Sequence, residues 1–292
     1  MTTIIELLRI RQWTKNLFIL LPLVFSGRFV NLFYCREVLI TFMAFSLISS
    51  AAYIFNDILD CKKDRLHQGK SSRPIANGKV SIPFAACSCA VCLLAGCWIL
   101  VVFARGLVLL GFLYILLQIF YNFVAKRFVI FDVLTLSLGF QIRIWIGALA
   151  IAVIPSLWLQ LCVFVSALFL GFTKRQCEIL TLKGLAVEHR GALSEYTRPL
   201  LDRLILICSA LTIMFYCLYT ISPEVTSRVG AQGLLYSTVF VIYGIFRYLY
   251  LAHVRKLSDD PAELLLTDRP LLLDILFWLV FVINAIYIHQ PH

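Results

Sequence analysis

Nine apolar stretches separated by polar connections run along the chain: approximately Leu17 to Phe33, Val38 to Phe55, Ile82 to Phe103, Gly106 to Phe123, Ile130 to Ile151, Leu157 to Phe172, Leu204 to Ile221, Leu234 to Leu251 and Leu271 to Ile288. Each comes close to or exceeds the roughly 17 residues that a helix needs to cross a bilayer core. Pro22 and Gly27 interrupt the first, so its limits are soft. The pattern predicts an all-α, polytopic membrane protein with nine transmembrane helices, organised as one domain over residues 1–292. No repeat at solenoid periods is visible. The first residues lack the short apolar region and cleavage site of a removable signal peptide.

Composition removes the soluble alternative. The 292 residues are 61% hydrophobic and only 14% charged, with a mean hydropathy of +0.90, whereas soluble domains carry about 25% charge. Abundant Leu, Ile, Val and Phe also exclude disorder, collagen and coiled coil. The net charge of +10 invites a nucleic-acid reading until the charges are placed. With the N-terminus in the cytoplasm, 21 of the 26 Lys and Arg residues fall in inside segments, while Arg28, Arg36, Arg105 and Arg228 fall outside and Arg143 lies within a span. That is the positive-inside distribution expected in the inner (cytoplasmic) membrane. It also carries the nine-span count, because one missed helix would scramble the alternation. The bases are spread over short loops with no recognisable module, so no nucleic-acid partner is expected. Of the 16 acids, only Glu37 and Glu224 lie outside, so the cytoplasmic face concentrates both signs of charge.

Ten cysteines would be a disulfide framework in a short secreted chain. Here eight of them, all but Cys35 and Cys61, lie in or at the ends of apolar stretches, where Cys behaves as a small hydrophobe. The run from Cys87 to Cys92 has no neighbouring His and no second CxxC, so packing is favoured over a metal site.

The second span runs directly into Asn56-Asp57-Ile58-Leu59-Asp60-Cys61-Lys62-Lys63-Asp64-Arg65. Relative to Asn56, helical geometry puts Asp57, Asp60 and Asp64 at about 100°, 40° and 80°, all on one face. Three carboxylates on one face repel unless a cation sits among them. Oxygen ligands without His or Cys select a hard ion, and Mg2+ characteristically joins one or two carboxylates to substrate phosphates. A solvated helix end is the ordinary reading of an isolated Asp. Four polar groups in register, followed by a basic loop from His67 to Lys79 that contains Lys70 and Arg73, favour magnesium-diphosphate binding instead.

This NDxxDxxxD pattern, with Arg73-Pro74 and Gly78 behind it, resembles the first signature of the UbiA superfamily of intramembrane prenyltransferases. Four stretches resemble its branch of decaprenyl-phosphate phosphoribosyltransferases: the opening Arg9-Ile10-Arg11-Gln12-Trp13-Thr14-Lys15-Asn16-Leu17, the run from Arg73 to Gly78, Tyr121-Asn122-Phe123-Val124-Ala125-Lys126 ahead of Asp132, and Lys174-Arg175-Gln176-Cys177-Glu178. The likeness extends from about Arg9 to the last span. Gln68 and Ser71 stand where the family usually has Pro and a second basic residue. The second, DxxxD-type motif of aromatic prenyltransferases is not evident. Tyr121, Lys126 and Asp132 occupy its place, which favours the phosphoribosyl branch.

The resemblance implies a UbiA-like bundle with a cavity facing the cytoplasm. It implies transfer of 5-phosphoribose from phosphoribosyl diphosphate to a polyprenyl phosphate, releasing pyrophosphate, for cell-envelope glycan (arabinose donor) synthesis. In that reading Asp57, Asp60 and Asp64 are the catalytic Mg2+ ligands, with Asn56 orienting them. Substrate-binding candidates are Lys15, Lys70, Arg73, Tyr121, Lys126, Asp132, Arg143, Lys174, Arg175 and Glu178. The lipid phosphate attacks as a ready-made anion, so no strong general base is needed, and His67 reads equally well as a solvated loop residue. Lys126, Lys174 and Arg175 read equally well as orientation charges, with Glu178 as a helical ion-pair partner. Asp132 is harder to dismiss, because carboxylates near membrane depth are rare and usually functional. Arg143, flanked by Gly139 and Gly147 on a close-packing stripe, faces the cavity, either reaching a phosphate or pairing structurally.

Two further polar segments stand out. That holding Lys183, Glu188, Arg190, Glu195, Tyr196 and Arg198 reads equally as a donor cap or a solvated linker. In the other, after Asp259-Asp260-Pro261, Asp268 and Arg269 are placed to cap the last helix, with Pro270 near its start. The competing classes are a UbiA-type enzyme moving a prenyl group from prenyl diphosphate to an aromatic acceptor, and a transporter. A transporter would line a path near the bilayer midplane with ionisable groups, where this sequence leaves Arg143 nearly alone.

Overall fold

The protein is described by a computed structural model that covers residues 2–66, 71–182, 193, 195–229, 233–252 and 267–288. Among the described residues all regular structure is helical. Eight long helices follow one another: α1 (Leu32–Leu66), α2 (Ile82–Phe103), α3 (Val108–Phe123), α4 (Phe131–Ala150), α5 (Leu157–Leu182), α6 (Arg198–Thr220), α7 (Thr238–Tyr250) and α8 (Arg269–Ile288). Seven helical stretches, which take in all of these but α7, are long and apolar enough to cross a membrane. Their outer faces present large apolar side chains, with Leu94 70%, Trp98 61% and Phe277 57% exposed, as a lipid-facing surface requires.

The other two of the nine expected spans are helical but built in pieces. The first begins after Arg9, which is left-handed at φ 51°, and consists of a 3-10 helix over Ile10–Leu20 followed by a single α-helical turn, Leu21–Phe25. Pro22 is accommodated in the first turn of the α-helical piece, and Gly27 supplies the positive φ of 72° that ends it. The eighth is a 3-10 turn, Leu235–Ser237, leading into α7, whose 13 residues span about 20 Å of helix.

α2, α6 and α8 start alike. Ser81 accepts from the Phe84 N–H and Thr197 from the Leu200 N–H, both at 3.4 Å, and Asp268 accepts from the Leu271 N–H at 3.0 Å. Pro83, Pro199 and Pro270 sit in the first turns, where a missing N–H costs nothing. The cap expected of Asp268 is therefore present.

Apolar side chains meet in three main clusters. Phe172, Leu201, Ile205 and Leu271 join α5 to α8. Ile144, Val163, Tyr216 and Val282 form a second cluster, and Ile19, Phe45, Ile48 and Ile146 a third. The N-terminal segment lies directly on α4, since a Cβ on Gly147 would stand 2.0 Å from the Ile19 carbonyl oxygen. The close packing expected along that stripe is real at Gly147, whereas a Cβ on Gly139 would meet only side-chain ends, the Arg143 Nη1 at 3.4 Å and Leu117 and Tyr114 at 3.8 Å. All ten cysteines are unbridged. Every ion pair among the described residues sits at one end of the bundle: the end of α1, the α3–α4 connection, the end of α5, and the α7–α8 junction.

Candidate active site

α1 continues without a break through the acidic motif, so the expected helical register holds. Asp57 and Asp64 are both 5% exposed, and two carboxylates so deeply withdrawn from water require cationic partners. Arg73 bridges them, donating from Nη1 to Asp57 Oδ1 at 3.0 Å and to Asp64 Oδ2 at 2.5 Å. Arg9 grips Asp57 from the other side with a fork, Nε to Oδ2 at 2.9 Å and Nη2 to Oδ1. Asp60 is held apart from this group by Lys126, whose Nζ is 2.9 Å from Oδ1.

Arg73 owes its position to a tightly folded loop over residues 71–80. Ile75 and Val80 are buried against Ile54 and Cys61 of α1 and Leu7 of a short helix at the start of the chain, Thr2–Leu7. Arg65 Nε donates to the Ala76 carbonyl at 3.1 Å, the Val80 N–H to the Pro74 carbonyl at 3.0 Å, and the Asn77 amide to the Ser72 carbonyl at 2.8 Å. Gly78, at φ 78°, makes the turn.

Oxygen donors of this type suit Mg2+, which needs only one or two protein carboxylates when phosphates complete its shell. Asp57 and Asp64, already converging on one shared cation, meet that requirement. Among the described residues, however, no three acids lie close enough to ligate one ion. The reason is electrostatic: Asp60 pairs with Lys126, while Asp57 and Asp64 pair with Arg73. Asn56 is half-buried and hydrogen-bonds none of the three, so the orienting role expected of it is not seen.

A second buried network lies where α4 and α5 meet. Arg175, 2% exposed, donates from Nε to Asp132 Oδ2 at 2.7 Å, from Nη1 to Glu178 Oε2 at 2.6 Å and from Nη2 to the Tyr121 hydroxyl at 3.4 Å. The Tyr196 hydroxyl donates to the other Asp132 oxygen at 2.8 Å and accepts from the Ile130 N–H at 2.7 Å. Burial, and then the Asp132 charge beside it, push the Tyr196 phenol above its ordinary pKa, so it remains a donor. The Ile130 N–H belongs to a strained turn: φ is 67° and ψ −44°, and the Phe131 N–H reaches the Val129 carbonyl at 2.7 Å. A β-branched residue rarely adopts this γ-turn geometry. Lys126 and Asp132 flank the turn, so one short connection links both charge networks.

The remaining candidates are dispersed. Arg143 is 4% exposed and donates to Asn16 Oδ1 at 2.8 Å, the Gly139 carbonyl at 2.7 Å and the Tyr114 hydroxyl at 3.2 Å. The faces of Phe45, Tyr114 and Phe140 surround its guanidinium. It pairs structurally and shares no partner with the carboxylates. Lys15 lies over the Tyr53 ring, 5.9 Å from its centre, beside Arg9. Lys174 is half-buried on α5. Lys70 and His67, most of the segment from Lys183 through Glu188 and Arg190, and Asp259-Asp260-Pro261 lie outside the described residues. The pair Arg247–Asp268, at 2.8 Å, completes the charged end.

Sequence reasoning did not place two residues in the site, Arg9 and Tyr196. Arg9 opens a stretch that resembles the family, but its reach to Asp57 depends on a left-handed backbone that the sequence does not mark. Tyr196 lies in a polar connection 64 residues beyond its partner Asp132, with no local signal of the pairing.

Residues 18–182 match the UbiA prenyltransferase family. The decaprenyl-phosphate phosphoribosyltransferase of Mycobacterium tuberculosis is 30% identical, over 97% of this chain and 94% of that protein. The protein of the same name in Corynebacterium glutamicum is also 30% identical, over 97% and 86%. The uncharacterised protein y4nM of Sinorhizobium fredii is 30% identical over 90% of this chain, which spans only 52% of that longer protein. Among solved structures, a UbiA homolog from Archaeoglobus fulgidus bound to GPP and Mg2+ superimposes with a TM-score of 0.68 at 17% identity, covering 98% of this chain and 99% of that one. A digeranylgeranylglyceryl phosphate synthase gives 0.66 at 18%, covering 98% of each. At such identities the structural likeness is one of fold.

Proposed function

The chain belongs to the UbiA prenyltransferase family, and from that premise we propose that it is an Mg2+-dependent phosphoribosyltransferase of the inner (cytoplasmic) membrane. It moves 5-phosphoribose from phosphoribosyl diphosphate to a polyprenyl phosphate and works as a single domain over residues 1–292. The observation that carries this reading is the interleaving of acids with Arg9, Arg73 and Lys126 at one end of the bundle. Such a set serves a ligand that brings both a metal and several phosphate oxygens. Relatives named for this activity, 30% identical over nearly the whole chain, support the choice of phosphoribose over a prenyl group.

Asp57 and Asp64, which converge on one shared cation, would hold the metal, and Asp60 would join them once Lys126 turns to a phosphate oxygen. Held there, Mg2+ would supply positive charge to the diphosphate leaving group. Arg9 and Arg73 have planar forks that match phosphate oxygens, and Lys126 adds a point charge. Oxocarbenium character develops at the ribose C1 as its bond to the diphosphate loosens, and the departing pyrophosphate keeps the electron pair. An oxygen of the lipid phosphate forms the new bond to C1. The acceptor is already anionic, so no side chain has to remove a proton from it. The soluble donor enters from the cytoplasm, and the lipid product serves cell-envelope glycan synthesis as an arabinose-donor precursor.

Purified protein incubated with Mg2+, labelled phosphoribosyl diphosphate and polyprenyl phosphate is expected to yield labelled lipid and pyrophosphate. Chelation, Asp57→Asn or Asp60→Asn should each abolish turnover while the protein still inserts. Full activity in either mutant removes the metal assignment. Absence of labelled lipid, with prenylation of an aromatic acid instead, overturns the phosphoribosyl reading.

A further inference from the structure

A cavity of about 220 Å³ lies between α5, α6, α7 and α8, lined by none of the residues of either charge network. This is larger than the ~150 Å³ apolar cavity that admits benzene in an engineered protein. Its walls are mainly aliphatic and aromatic, with Phe169, Phe240, Tyr248 and Trp278 supplying the rings. One carboxylate, Asp274 of α8, is set into them and is only 9% exposed. Its Oδ2 fits against the bare face of Gly244, 3.0 Å from where a Cβ would stand.

The other buried acids, Asp57, Asp64, Asp132 and Glu178, are all ion-paired. Asp274 has neither a hydrogen bond nor an ion pair among the described residues. Three donors of the lining are engaged elsewhere. Ser166 donates to the Cys162 carbonyl at 2.7 Å, Thr212 to the Cys208 carbonyl at 2.8 Å, and the Trp278 indole to the Tyr216 hydroxyl at 2.8 Å. A carboxylate withdrawn from water without a donor is costly, and ionisable groups inside membrane bundles ordinarily mark ligand sites.

We propose that this cavity is a second binding site, for an amphiphile with a protonated amine head and an apolar tail, with Asp274 as its counter-ion. An ammonium brings both the missing positive charge and hydrogen-bond donors, and aromatic faces around it add cation–π attraction. A phosphate head without a cation brings only negative charge and acceptors and is rejected. The cavity therefore selects the opposite chemistry to the end of the bundle that carries Asp57. A free alkylamine and the headgroup of an aminophospholipid share this chemistry.

Calorimetric titration of the full-length protein in neutral detergent with n-octylammonium, n-octanol and n-octyl phosphate compares three heads on one tail. Octylammonium should bind about thirtyfold or more tightly than octanol, the effect expected for a buried charge pair, and octyl phosphate should not bind. Asp274→Asn should reduce octylammonium to the level of octanol and leave octanol unchanged. Gly244→Val, which fills the place occupied by the carboxylate, should remove both. Equal binding of octylammonium and octanol to the unaltered protein overturns the proposal without recourse to any variant. So does a preference that survives Asp274→Asn. Lysophosphatidylethanolamine and lysophosphatidylcholine then identify the source. Binding of the first alone, dependent on Asp274, assigns the site to an aminophospholipid headgroup, and binding of octylammonium but neither lipid assigns it to free alkylamines.

Discussion

Replacing Tyr196 with Phe deletes one oxygen and two hydrogen bonds, the 2.8 Å bond to Asp132 and the 2.7 Å bond from the Ile130 N–H. A bond to a charged group contributes about 1.5–3 kcal/mol and an ordinary one about 0.5–1.5 kcal/mol, so the local loss is about 2–4.5 kcal/mol. The Ile130 turn stores about 1–3 kcal/mol of backbone strain, which the Tyr196 hydroxyl helps to hold in place. Freed of that bond, the turn relaxes and shifts Lys126 and Asp132 together. If at least half of the lower figure is felt in the transition state, kcat/KM falls by about fivefold or more, and a complete transfer of the upper figure sets a ceiling of about two thousandfold. The assay is labelled-lipid formation at varied phosphoribosyl diphosphate, with thermal unfolding in detergent measured alongside. A positioning role predicts that kcat falls more than KM rises. It also predicts that Ile130→Gly, which adopts the positive φ without strain, restores part of the lost activity and stability in the Tyr196→Phe background. Unchanged kcat and unchanged unfolding in Tyr196→Phe would refute the coupling.

Other expectations follow from the same geometry. Arg175→Met takes the guanidinium away from the buried carboxylates of Asp132 and Glu178 and should destabilise the protein by about 3–5 kcal/mol, read as a lowered unfolding midpoint. Adding Asp132→Asn and Glu178→Gln should restore the midpoint, and failure to do so removes the ion-pair explanation. Gly147→Ala drives a methyl group into the Ile19 carbonyl, and overpacking of this kind should cost at least about 1–3 kcal/mol, measured by thermal unfolding against Gly139→Ala as the milder control. Arg73→Gln removes the guanidinium that bridges Asp57 and Asp64, so Mg2+ affinity without donor should rise while donor affinity falls. Calorimetric titration of each separately checks this, and a parallel loss of both would contradict competition between Arg73 and the metal.

Much of this arrangement was legible in the chain because it is local. The 3.6-residue period placed Asp57, Asp60 and Asp64 on one face, and α1 runs through them as that period requires. The one-sided charge distribution reappears as ion pairs confined to one end of the bundle. Helix capping at Asp268 followed from three adjacent residues. What was not legible depends on contacts between distant segments. Periodicity gives the direction of Asp60 but not the presence of Lys126, 66 residues away, which draws it from the other two acids. It also cannot foresee that Arg143, a candidate phosphate ligand by chemistry, meets Asn16 and Tyr114 first. Pro22 and Gly27 mark the break in the first span, whereas little in the eighth marks the 3-10 turn Leu235–Ser237 that leads into α7.

The two charge networks differ in a way that bears on their roles. Around Asp57 and Asp64 two guanidiniums meet two carboxylates, and the partners are partly exposed, with the Arg9 and Arg73 side chains at 18% and 24%. Those arginines can exchange one anion for another at modest desolvation cost, as phosphate binding requires. Around Arg175 one guanidinium serves two carboxylates, and all three side chains are 2–3% exposed. Parting that cluster would leave a buried charge uncompensated, so it cannot exchange partners easily. The first network therefore suits the exchange of anions that the proposed reaction needs, and the second suits a fixed α3–α4 connection, from which Lys126 reaches Asp60.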